Sequence, residues 1–305
     1  MMRGAKWVAL FLGFGLVGYG GDSAAGLLAQ EPGRDPASRV DVPAVDVDVD
    51  FDMDFDGEFG QSRCAYGAER RVSVGASAAQ LLRLDAGSGS LSVEGRSGLS
   101  QVQAVGTACA SDEGYLQDLQ LTLERAGNDI VLTAHYPDRS DRRRWGGNDY
   151  ARIDLVVEIP MDMAVNVDDS SGEMEISGTG ALDIRDSSGG IVVDQASGPV
   201  TIDDSSGGIT VRAVRGDVDV EDSSGDVDLS DVTGSVRLRD GSGSVQVEQV
   251  TRDVIVDRDG SGSITVRDVG GDFAVRADGS GGIRYSGVQG NVDVPVKRHG
   301  RRGGG

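Results

Sequence analysis

One phrase recurs along the second half of the chain at a nearly fixed interval, and it restricts the possible folds more than any other feature. D-[SG]-S-G begins at Asp169, Asp186, Asp204, Asp222, Asp240, Asp259 and Asp278, at intervals of 17, 18, 18, 18, 19 and 19 residues. Two apolar residues separated by one follow each copy, as in Ile191 and Val193, Ile209 and Val211, Val227 and Leu229. The half-repeat does the same with Val200 and Ile202, Val218 and Val220, Val236 and Leu238. A small apolar residue such as Val214, Val232 or Val250 stands between the halves. Alternation of this kind marks short strands with one inward face. Such strands bury nothing alone, so successive copies must stack and share a continuous aliphatic core. The expected fold is all-β, a single-stranded β-solenoid of about 18 residues per coil, preceded by a strand-rich N-terminal segment. At an inter-strand spacing of ~4.8 Å, the repeats would span roughly 34 Å. An antiparallel sandwich of short strands is the competing architecture.

Composition agrees with a turn-rich fold and a narrow core. Aromatic residues make up 5% of the chain, while 47 of its 305 residues are glycine. The net charge of −21 argues against nucleic acid as a partner, because phosphate binding needs clustered Lys and Arg. The sequence divides into residues 1–29, 30–62, 63–160, 161–295 and 296–305. The first segment has a positive start at Arg3 and Lys6, an apolar run from Trp7 to Tyr19 and small residues near Ala25 and Ala29. It reads as a secretory signal peptide, after whose cleavage no stable membrane span is expected; an uncleaved anchor helix is the other reading. Export places the two cysteines, Cys64 and Cys109, in an oxidising compartment, where an even count suggests a disulfide.

The second segment is a linker followed by an acidic arm in which apolar residues and Asp alternate strictly from Val45 to Asp56. That pattern fits both an edge strand and an acidic disordered arm. Within the strand-rich third segment, Arg142, Arg143, Arg144 and Trp145 lie in a polar loop. It is either a solvated hairpin loop or a ligand-contacting one, since Arg and aromatic side chains are enriched at recognition surfaces. The last segment is a basic Gly/Arg tail.

The repeated phrase itself admits three chemistries. As turn chemistry, its glycine supplies a conformation with positive φ and its Asp caps the backbone N–H two residues on. As a metal site, Asp169, Asp186, Asp204, Asp222, Asp240, Asp259 and Asp278 would form a column of carboxylates, to which Ca²⁺ is the fitting cation. At ~5 Å apart, neighbouring charges repel by about 0.8 kcal/mol even in water. The calcium-binding nonapeptide of β-rolls is not present, because here Asp precedes Gly. A row of serine nucleophiles fails for lack of bases: the chain has two His, His135 and His299, and no G-x-S-x-G elbow. No catalytic carboxyl stands out among 50 acids, and no catalytic residue or cofactor is expected beyond the calcium reading. The tripeptide Arg215–Asp217 occupies the slot filled elsewhere by "SGP", "TGS" and "QGN", so it reads as part of the repeat.

The run "LLRLDAGSGSLSVEG", the phrase P-x-x-x-x-V-x-V-x-x-S-S-G beginning at Pro160 and the repeats after it resemble the bacterial putative-adhesin β-solenoid family of unknown function, related to auto-transporter adhesin-head domains. The resemblance covers roughly residues 70–295 and implies no catalytic residues. It implies an exported, non-enzymatic envelope or surface protein whose solenoid contacts a glycan, a protein or a surface. A periplasmic partner in envelope homeostasis or signalling, and a carbohydrate-active solenoid enzyme, are the alternatives. Self-association through an uncapped solenoid end is a further expectation.

Overall fold

The computed structural model describes residues 64–137 and 148–295. The signal-like segment, the acidic arm, Arg142, Arg143, Arg144 and Trp145, and the basic tail with His299 lie outside the described residues. The described residues belong to one compact unit. Among the described residues, the strands assemble into two sheets, one of 11 strands and one of 12. The chain alternates between them once per coil. The strands of each repeat pair in parallel with those of the next, as in Val200–Asp204 with Val218–Asp222 and Ile209–Val214 with Val227–Val232. Solenoid winding is therefore correct for the repeats, and the antiparallel sandwich is not the architecture.

Sequence parity explains each coil. In Ile209–Val214, Ile209 and Val211 face inward and are buried. Strict alternation would next turn Ala213 inward. Ala213 instead adopts φ of 57°, which re-phases the chain so that Val214 is buried. The chain then crosses to the second sheet, where Val218, Val220 and Asp222 share one parity and all three are buried. The D-[SG]-S-G corner returns it to the first sheet. Stacking such coils buries a column of Val, Ile and Leu at each inward position. Each fully buried side chain of this size contributes ~1.5–3 kcal/mol.

The solenoid begins earlier than the repeated phrase suggests. Leu81–Ser88 pairs with Ala164–Ser171, and Leu91–Arg96 pairs with Met174–Ser177. Leu81–Arg96 is thus a complete coil stacked directly beneath the first recognised repeat. The intervening chain forms the N-terminal end. Asp129–His135 and Ala151–Pro160 add one more parallel strand to each sheet. Antiparallel strands then finish both edges: Gln120–Ala126 on one, and Gln101–Ala110 followed by Tyr66–Gly75 on the other. The short helix Glu113–Asp118 links these edges, with Asp112 capping the N–H of Gly114 at 2.8 Å. Tyr115 of this helix and Leu119 at its C-terminal end are buried. Arg70 donates to the carbonyls of Leu119 and Leu116 at 3.0 and 3.2 Å, satisfying acceptors at the helix C-terminus.

A disulfide joins Cys64 to Cys109 across this end, with a Cα–Cα distance of 5.6 Å and a sequence separation of 45. In the chain-entropy model a loop of this size stabilises by ~4 kcal/mol. Calorimetry with and without reductant is expected to show a lower melting temperature for the reduced protein, and Cys64→Ser should reproduce that loss without reductant. The opposite end is less covered: Tyr285 and Val292 in the last coil are 49% and 37% exposed. Among the described residues no helix is long and apolar enough to cross a membrane.

Candidate functional site

Two corner rows run the length of the stack, and they differ in chemistry. The first is the D-[SG]-S-G corner. Its Asp residues lie inside the rod: Asp169, Asp186, Asp204, Asp222, Asp240 and Asp259 are 1–5% exposed. Asp278, in the last coil, is half-buried. At four coils one carboxylate oxygen accepts the backbone N–H two residues on, with Ser188 donating to Asp186 at 3.2 Å, Ser206 to Asp204 at 3.2 Å, Ser224 to Asp222 at 3.0 Å and Ser242 to Asp240 at 3.1 Å. The second oxygen of these four carboxyls is buried and has no hydrogen-bond partner. An ionised carboxylate in that position is expensive, so burial favours the protonated form of the group. Burial first, then the neighbouring Asp186, push Asp169 up to about 7. Burial and the adjacent Asp222 and Asp259 push Asp240 up to about 7. Burial also lifts Asp204 to about 6 and raises Asp186 and Asp222.

These seven residues stand in single file. Among the described residues no three His, Cys, Asp or Glu side chains gather into a cage that could hold a metal ion. The corner's glycine explains why the phrase is so regular. Gly207, Gly225 and Gly243 have φ of 147°, 156° and 151°. A Cβ on Gly225 would lie 1.6 Å from the carbonyl oxygen of Gly207 in the coil below. Coils touch backbone to backbone along this line, which only glycine permits.

The second corner carries the residues with positive φ that re-phase each coil. Gln195, Ala213, Asp231, Gln249 and Asp268 have φ of 58°, 57°, 56°, 58° and 55°, and Gly287 continues the row at 69°. The five non-glycine side chains line a shallow groove parallel to the rod axis. One stretch, from Asp231 to Gln289, has a volume of about 510 Å³, and another, from Met161 to Thr233, about 370 Å³. Both stretches include Asp231 and Thr233, so they adjoin. Sequence reading missed this row. Its signal was the apolar spacing itself: inward residues at Ile209, Val211 and Val214 cannot share one strand parity without a backbone break between the last two.

Other sequence candidates are occupied structurally. Asp217 of the Arg215–Asp217 tripeptide accepts the backbone N–H of Ser235 in the next coil at 2.8 Å. Asp226, Asp253 and Asp272 make the same inter-coil bond to Ser244, Asp272 and Asn291. His135 pairs with Thr122 at 2.9 Å. On the outer face of the second sheet, Asp257 bridges Arg237 and Arg276, each at 2.6 Å, and hydrogen bonding to Arg237 holds its carboxyl below the usual range.

No family model matches the chain, and no curated protein matches it significantly. Solved structures do. A putative adhesin from Bacteroides fragilis is 12% identical, with a TM-score of 0.46 over 76% of this chain and 98% of its own. A putative cell adhesion protein from Clostridium sporogenes is 14% identical, with a TM-score of 0.31 over 75% of this chain and 99% of its own. A putative lipid binding protein from Parabacteroides distasonis is 14% identical, with a TM-score of 0.38 over 75% of this chain and 97% of its own.

Proposed function

We propose that the protein is an exported, non-enzymatic binding rod of the adhesin-like kind, acting at the cell envelope or surface. The observation that carries this reading is the periodicity of the described fold. Two parallel sheets and two corner rows present the same side-chain positions once per coil, and a rigid ladder suits contact with an extended or repetitive partner better than the enclosure of one small substrate. The abundant acids support a non-catalytic role, because two of their repeated sets are spent on the fold: the buried column caps its own turns, and Asp217, Asp226, Asp253 and Asp272 tie one coil to the next. The signal-like first segment and the Cys64–Cys109 disulfide support export.

Protease shaving of intact cells, followed by immunoblotting, tests the location. Release of the protein from intact cells is the expected result. Protection until the outer envelope is opened would place it in the periplasm and favour a partner role there. Binding of the purified protein to fixed cells tests adhesion, and turnover of polysaccharide by the same preparation would overturn the non-enzymatic reading.

A further inference from the structure

We propose that the groove along the positive-φ corner is a binding site for a linear polysaccharide, neutral or amino-bearing, whose chain lies parallel to the rod axis. The inference rests on the reading of the protein as a binding rod and assigns its ligand class.

Three observations lead to it. First, the groove repeats. Its lining positions recur once per coil, at the ~4.8 Å spacing of stacked strands, so the six rows from Gln195 to Gly287 extend over roughly 24 Å. A ligand that uses all of them must itself be long, and a spacing near 5 Å is close to the length of one pyranose unit. Second, what the groove offers is side chains and not backbone. The corner N–H groups are already taken between coils, as where Thr233 donates to Val214 and Thr251 to Val232, at 2.8 and 3.0 Å. An extended peptide added as a strand needs open backbone groups, whereas sugar hydroxyls are met by amides, carboxylates and hydroxyls. Gln249, Asp231, Asp268, Thr233 and Thr251 supply these, and all are exposed. The lining acids Asp162, Asp231 and Asp268 outnumber the lining cation Arg215, and within a chain of net charge −21 they repel a polyanion and suit a neutral or amino-bearing polymer.

Third, the side chains are kept at a cost. A residue with a Cβ in the left-handed region is disfavoured by ~1 kcal/mol relative to glycine, and Gly287 shows that glycine fits this row. Five consecutive coils nevertheless place Gln, Ala, Asp, Gln and Asp there. Four of these five are polar, and strained polar residues along a groove point to a use for their side chains.

That strain also supplies the test. In the triple variant Asp231→Gly, Gln249→Gly and Asp268→Gly, the groove loses three of its polar side chains while the backbone is relieved. The intact protein and the variant would be measured by pull-down on insoluble cellulose, chitin and amylose, and by calorimetric titration with cello-, chito- and chitosan oligosaccharides, with polygalacturonate as the anionic comparison. The expected result is binding to at least one neutral or amino-bearing polymer, weaker or absent binding to polygalacturonate, and affinity that rises with oligosaccharide length and then levels off. The triple variant should bind roughly tenfold or more weakly, the loss of a few hydrogen bonds, with a melting temperature equal to or above that of the parent. Lack of binding to every polysaccharide, or undiminished binding by the variant, would overturn the proposal. If the protein still adheres to fixed cells in either case, the binding-rod reading stands and only the groove assignment falls. Loss of that adhesion on protease treatment of the cells would indicate a protein ligand.

Discussion

Gly225→Ala is expected to unfold the middle of the rod, whereas Gly208→Ala should leave its melting temperature nearly unchanged. Both are glycines of the same type of corner, seventeen residues apart. At Gly225 φ is 156° and a Cβ would stand 1.6 Å from the Gly207 carbonyl oxygen, a distance no neighbour can accommodate because the obstacle is backbone. Relief requires the coils to separate, which breaks the parallel ladders on both sides of the corner. We expect a loss of ~4 kcal/mol or more, the range reserved for severe steric and backbone defects. At Gly208 the nearest atom to an added Cβ is the Asp226 carbonyl oxygen at 3.9 Å, an ordinary contact. There the change should stay within ~0.5 kcal/mol. Thermal and urea unfolding followed by circular dichroism would measure both. Equal effects at the two sites would mean that the glycine column is not what holds the coils at their spacing.

The second large effect concerns pH. In an unfolded chain the aspartates titrate near 3.9. In the folded column Asp204 rises to about 6, and Asp169 and Asp240 to about 7. Between these limits the folded protein binds more protons than the unfolded one, so stability falls as pH rises. The contribution is complete below about pH 4 and is lost as pH climbs through 6 to 7. Each proton taken up on folding makes stability change by about 1.4 kcal/mol per pH unit within that window. The melting temperature should therefore be higher at pH 5 than at pH 8. Asp257, whose carboxyl is held low by Arg237, works in the opposite direction, but only at more acidic pH.

Asp222→Asn isolates the cause. Asparagine keeps an oxygen for the Ser224 N–H and removes one charge from the file. It should raise the melting temperature at pH 8, change it little at pH 5 and flatten the profile between. A melting temperature independent of pH from 5 to 8 would refute proton uptake by the column. The calcium reading makes the contrary forecast. If Ca²⁺ bridges Asp169 through Asp278, the melting temperature at pH 8 rises saturably with Ca²⁺ and not with Mg²⁺, and Asp222→Asn then lowers it. The single-file arrangement, with one oxygen of each of four carboxyls committed to a turn, leads us to expect no such rise over EDTA.

Much of the rod was legible in the residues. The interval between copies of D-[SG]-S-G set the coil length, and the pairs such as Val218 and Val220 named the inward faces, because side-chain direction alternates with period two whatever the tertiary context. The buried position of the Asp column was legible as well, since Asp222 shares the parity of Val218 and Val220. It is easily overlooked because Asp is rarely buried.

Other features were decided only by the tertiary structure. Leu81–Arg96 is a coil, yet residues 97–163 separate it from the coil it supports, and its pairing with Ala164–Ser177 is a non-local contact that no short-range pattern encodes. The disulfide between Cys64 and Cys109 was expected from the even cysteine count, and the pairing of Tyr66–Gly75 with Gln101–Ala110 is what brings the two residues together. The groove is the clearest case. One re-phasing residue is a turn detail of a single coil, but Gln195, Asp231, Gln249 and Asp268 form a lined channel only when stacking aligns them. Sequence alone determined what each coil is, because alternation and turn chemistry act within about 18 residues. The tertiary structure decided which surfaces exist, because they arise from contacts between coils.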